Sequence, residues 1–105
     1  ALQMAAEAAP ADRTKLAAYR AALDAALQGH PDDAELWLLR GVAASDDPFE
    51  RGQGSGTPSV PYYKKALALG AVAAHHYLTH AYENTGQTAL ALQHAAAYAQ
   101  AAASI

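Results

Sequence analysis

The chain has no cysteine, no lysine or arginine beyond Lys65, and only four β-branched aliphatic residues, Val42, Val60, Val72 and Ile105. Each scarcity excludes something. Without thiols there are no disulfides, zinc–thiolate centres or cysteine nucleophiles. The compartment stays open, because a cysteine-free protein survives in either redox environment. A pleated sheet is built from β-branched and aromatic side chains, and with aromatics at 8% the chain has little material for an all-β or α/β fold. No apolar run reaches the ~18 residues of a spanning helix, so no membrane insertion is expected. The formal net charge of −3 and the pI near 5.9 lack the basic excess that offsets phosphate charge, so no nucleic-acid partner is expected either.

What the chain has is alanine, 30 of its 105 residues. Alanine loses no side-chain entropy in a helix, and one all-α domain over residues 1–105 is the expected class. Alanine buries less apolar surface than leucine, so stability must come from the close helix–helix approach that small side chains permit. The opening Ala1-Leu2-Gln3-Met4 has neither the basic start nor the unbroken apolar stretch of a secretory leader. The chain is expected to be a mature or excised part of something longer.

Helical periodicity and breakers divide the chain into about five helices. Residues 1 to 9 form a short helix interrupted by Pro10. Leu16, Tyr19, Leu23 and Leu27 then make one apolar stripe from about Asp12 to Gln28, ended by an αL Gly29 and by Pro31. Asp32 with Glu35 three residues on has the pattern of a capping box. The helix that follows carries Leu36, Trp37, Leu39, Val42 and Ala43. Residues 46–57 hold four helix breakers and read as a long loop, anchored by Phe49. A third helix starts around Pro58 to Pro61, both prolines being tolerable in a first turn, and runs to Gly70. The fourth covers about Ala73 to Thr85 and stops at Gly86, and the fifth begins near Thr88. Short turns imply antiparallel neighbours.

Two of these helix pairs can be laid over each other. Trp37 and Gly41, and in the next pair Leu78, Tyr82, Gly86 and Ala91, fall at the spacings of the tetratricopeptide repeat, which the chain resembles over roughly residues 16 to 100. Arg40 and Ala44 depart from the usual Leu and Tyr, and Thr79 from the usual small residue. Tyr63, Ala66 and Leu67 resemble the second helix of the first unit. Tyr19, Leu23, Ala26, Leu27 and Pro31 resemble the second helix of an incomplete preceding one. The resemblance implies a right-handed stack of antiparallel helical hairpins, an α-solenoid fragment. Its units are a partial repeat over 12–31, a repeat over 32–70 with the 46–57 insertion, and a repeat over 71–103. Gly41 would let helices approach closely while Trp37 and Tyr82 fill wider gaps.

The residues richest in chemistry are His75-His76-Tyr77-Leu78-Thr79-His80-Ala81-Tyr82-Glu83. At about 100° per residue, His76, His80 and Glu83 fall within an arc of roughly 60°, with Ala74, Leu78, Ala81 and Tyr82 opposite. Three readings stay open: a patch that hydrogen-bonds a peptide, ordinary solvated histidines, or a metal site for zinc, copper or nickel. The resemblance implies a concave groove lined by Glu35, Leu38 and Val42 from one unit and His76, His80 and Glu83 from the next. The order of residues does not fit the zinc-protease pattern, since Tyr77 follows His76. The glycines of 52–56 fit no nucleotide fingerprint, and Asp46, Asp47 and Glu50 lack EF-hand spacing. No serine sits in a nucleophile elbow.

The expected function is therefore non-catalytic, without cofactor: a protein-interaction module for a peptide or partner protein, with self-association possible. The alternative is a metal-binding helical domain using His76, His80 and Glu83. Residues 66–105 carry one formal charge, Glu83, and four of the five histidines. Such a neutral segment is either a surface to be covered or one kept soluble by Gln, Thr and Asn.

Overall fold

The computed structural model describes residues 9–44 and 56–103. Among these residues there are five α-helices and no strand: α1 Ala9–Gly29, α2 Ala34–Val42, α3 Val60–Ala68, α4 Ala74–Asn84 and α5 Thr88–Ala103, with a 3₁₀ turn at Thr57–Ser59 leading into α3. The all-helical class expected from composition is the one observed. The short helix before Pro10 and the 46–57 loop with Phe49 fall largely outside the described residues. Pro10 itself is the second residue of α1 as described.

Two expected helix boundaries are corrected. Gly29 does not take the left-handed conformation, since among the described residues only Gly70 and Gly86 have positive φ. It is the last residue of α1, and the chain turns immediately after it through His30 and Pro31. The N-cap of α2 is Asp33 and not Asp32, its carboxylate accepting from the backbone N–H groups of Glu35 at 3.0 Å and Leu36 at 3.3 Å. Of two adjacent aspartates, the one placed to satisfy otherwise orphaned first-turn donors is set by where the Pro31 turn closes.

The turns after α3 and α4 are built alike. Gly70 (φ 102°) and Gly86 (φ 78°) take the left-handed region that side chains avoid. Beyond each, a backbone N–H reaches five residues back: Ala71 to the Ala66 carbonyl at 3.0 Å, Gln87 to that of Tyr82 at 2.8 Å. Orphan carbonyls at both helix ends are satisfied and the chain reverses tightly.

Each helix packs on its neighbours in sequence: α1 on α2, α2 on α3, α3 on α4, α4 on α5. The result is a slab of 44 × 34 × 20 Å with a radius of gyration of 14.6 Å, above the roughly 13 Å of a compact domain of about 100 residues. Leu38, Tyr63, Ala66, Ala74, Leu78, Tyr82 and Ala91 form the core, with Trp37, Val42, Val60, Leu67 and Ala71 packed against it. Gly41 makes the α2–α3 contact possible. A Cβ there would lie 2.5 Å from Cε1 of Tyr63.

Arg40 acts as a tie between three helices. Its Nε donates to Asp24 of α1 at 2.8 Å, and its guanidinium lies 4.8 Å from the centre of the Tyr62 ring on α3. Arg20 of α1 donates to the carbonyl of Ala43, the C-cap of α2. Polar contacts of this kind hold α1 to α2 alongside buried Leu23 and Leu27.

Candidate functional site

Helix α4 has two faces because its sequence alternates at helical spacing. Ala74, Leu78, Ala81 and Tyr82 are buried, while His76, His80 and Glu83 are exposed on the other side, as expected from the 3.6-residue period. His80 Nδ1 lies 3.3 Å from the Glu83 carboxylate, with the two side chains 52% and 56% exposed. The His76 ring sits among other rings: 4.6 Å from His80, 5.6 Å from Tyr98 of α5 and 5.9 Å from Tyr77, centre to centre. Tyr77 also stacks on Tyr63 at 5.3 Å, which fixes it to the core.

The other residues expected to line a groove are placed differently from one another. Glu35 is exposed in the first turn of α2. Leu38 is buried at 8% and belongs to the core, and Val42 is half-buried against it. Leu38 therefore offers little surface to a ligand. Both α2 and α4 pack against α3. His76, His80 and Glu83 share a face, but among the described residues no group of three or more His, Cys, Asp or Glu side chains could hold a metal ion.

Sequence reasoning missed the neighbouring contact. His75 and His94 meet Nδ1 to Nδ1 at 2.8 Å across the α4–α5 hairpin, and the His94 ring stacks on Tyr82 at 5.5 Å. A signal for such pairings was present. In a tight antiparallel hairpin, residues at similar chain distances from Gly86 become neighbours, as His76 and Tyr98 do. Helix α5 buries Ala91 and leaves Leu92 66% exposed, and the half-buried His94 adds this contact to its packing on α4.

Burial, then His75, then Lys64 of α3 hold the pKa of His94 below its ordinary 6.5. The folded state consequently binds fewer protons than the unfolded chain between the lowered value and 6.5. Stability is present above about pH 6.5 and is lost as pH falls through that window. One N–H between the two imidazole nitrogens makes a hydrogen bond, and that bond is lost only when both rings are protonated. Thermal unfolding followed at pH 7.5 and 5.5 should show a lower Tm at the acid pH. His94→Gln should flatten this slope. A slope unchanged by that substitution would place its origin elsewhere.

Among the described residues no helix is long and apolar enough to cross a membrane. Set against family models, curated proteins and solved structures, the chain matches none of them. Fold and site together define an all-helical domain with an exposed imidazole–phenol face on α4 and α5.

Proposed function

We propose that the chain is a non-catalytic protein-interaction module that binds a peptide or a segment of a partner protein across the exposed face of α4 and α5. The observation that carries this reading is the division of α4. One side builds the core, and the other presents His76, His80 and Glu83 beside Tyr98 without contributing to it. Imidazole, carboxylate and phenol groups together offer donors, acceptors and flat apolar area. Aromatic residues with a polar end are favoured where proteins bind one another.

We further propose a right-handed stack of tetratricopeptide-type hairpins, with α2–α3 and α4–α5 as units and α1 as the second helix of a partial one. The packing of each helix on its sequence neighbours supports this, as do the contact at Gly41 and the matching turns at Gly70 and Gly86. A single hairpin cannot bury its apolar face alone.

The test is selection of a random peptide library on the immobilised domain at pH 7.5. Enriched peptides are expected to lose about tenfold or more in affinity for the His76→Ala, His80→Ala double variant. No enrichment, or affinities the double variant leaves unchanged, would remove the reading.

A further inference from the structure

We infer that the face around His76 takes a cationic side chain, arginine above all, from the bound peptide. This rests on the interaction reading above and specifies the chemistry of its partner.

Charge narrows the choice first. Helices α4 and α5 contain no lysine or arginine, and Glu83 is their single formal charge. An acidic ligand would meet that carboxylate with no cation on either helix to offset it. A purely apolar ligand would strip water from Glu83 and the imidazole nitrogens without replacing its hydrogen bonds, a costly exchange. A cation gains the carboxylate, opposed in part by Lys64 of α3, whose charge reaches His94.

Ring geometry narrows it further. Four rings, those of His76, Tyr77, His80 and Tyr98, cluster with His76 within 5.9 Å of each of the others. Cations are attracted to ring faces within about 6 Å of the centroid. A guanidinium can also lie flat on a ring while donating to a carboxylate, which an ammonium cannot do. Glu83 stands beside the cluster through His80, at 3.3 Å.

The molecule already makes this contact internally. Arg40 pairs with Asp24 at 2.8 Å while its guanidinium lies 4.8 Å from the Tyr62 ring centre. Carboxylate, guanidinium and phenol form one arrangement there. On α4 the carboxylate of Glu83 stands against the His80 ring, whose other neighbour is His76, and the partner would supply a guanidinium that pairs with Glu83 beside these rings.

The experiment titrates the isotopically labelled full chain at pH 7.5 with an acetylated, amidated hexapeptide of alternating arginine and alanine. The same peptide with citrulline in place of arginine keeps the shape but replaces the charged guanidinium with a neutral urea. Saturable amide shifts are expected at His76, His80, Glu83 and Tyr98, with the arginine peptide binding about tenfold more tightly than its citrulline counterpart. Glu83→Gln and Tyr98→Ala should each weaken it several-fold. Asp32→Asn, which removes the same charge in the turn between α1 and α2, should leave it nearly unchanged. Circular dichroism verifies that each variant is folded. Equal binding of the citrulline peptide, or equal losses in Glu83→Gln and Asp32→Asn, would overturn the inference. Library selection separates the two failures. Neutral or acidic peptides enriched on these same residues would overturn the cationic preference and leave the interaction reading standing, whereas no enrichment of any peptide would remove both.

Discussion

Tyr63→Ala is expected to lower the stability of this domain by about 3–5 kcal/mol, the range for truncating a buried aromatic side chain to alanine. Tyr63 is fully buried, stacks on Tyr77 and packs against the α2 backbone at Gly41. It belongs to a core drawn from α2, α3, α4 and α5. Several of its core companions are alanines, Ala66, Ala74 and Ala91. These have no rotatable side chain with which to fill the space left behind, so the cavity should persist, and the cost rises with residual cavity volume. For a domain of about 100 residues the loss corresponds to at least about 12 °C in Tm. Thermal unfolding by circular dichroism measures it, and a loss below about 1 kcal/mol would mean that Tyr63 does not organise the core as described.

Gly41→Leu should cost at least about 3 kcal/mol, the upper part of the range for overpacking a core. A Cβ at this position would come within 2.5 Å of Cε1 and 2.7 Å of Cδ1 of Tyr63, and within 3.1 Å of Cβ of Tyr62. The Tyr63 ring has little room to step aside, because it is fully buried and stacked on Tyr77. Without this contact, replacing a glycine inside a helix would help, since glycine is about 1 kcal/mol worse than alanine there. The sign of the effect therefore tests the close approach directly. The double variant adds a second check. In a Tyr63→Ala background the contacts with the ring are gone, the 3.1 Å approach to Cβ of Tyr62 alone remains, and leucine has a hole to enter, so Gly41→Leu should cost much less. Equal cost in both backgrounds would assign it to something other than the ring.

How far each feature was legible depended on how far apart in the chain its cause lay. Helix α4 was readable almost to the residue, because which side chains share a face follows from the helical period. The ends at Gly70 and Gly86 were readable too, since only glycine takes their conformation cheaply. Asp32 against Asp33 was a closer matter. Both aspartates are N-cap residues by type, and the turn through Pro31 decides which carboxylate reaches the helix. Gly29 was misjudged for a related reason. A glycine before a break is not obliged to turn left-handed, and here the helix runs through it.

Composition and spacing alone determined the helical class, the faces of α4 and the glycine turns, since all of these depend on residues within one or two helical turns of each other. Tertiary structure decided the rest. It buried Leu38 where an open groove was expected, set the Arg40 guanidinium between Asp24 and Tyr62, and brought His75 to His94 and His76 to Tyr98. Those contacts join residues on different helices, and their distances depend on how closely each pair packs. That closeness is governed by side-chain volume at places such as Gly41, which local periodicity does not record.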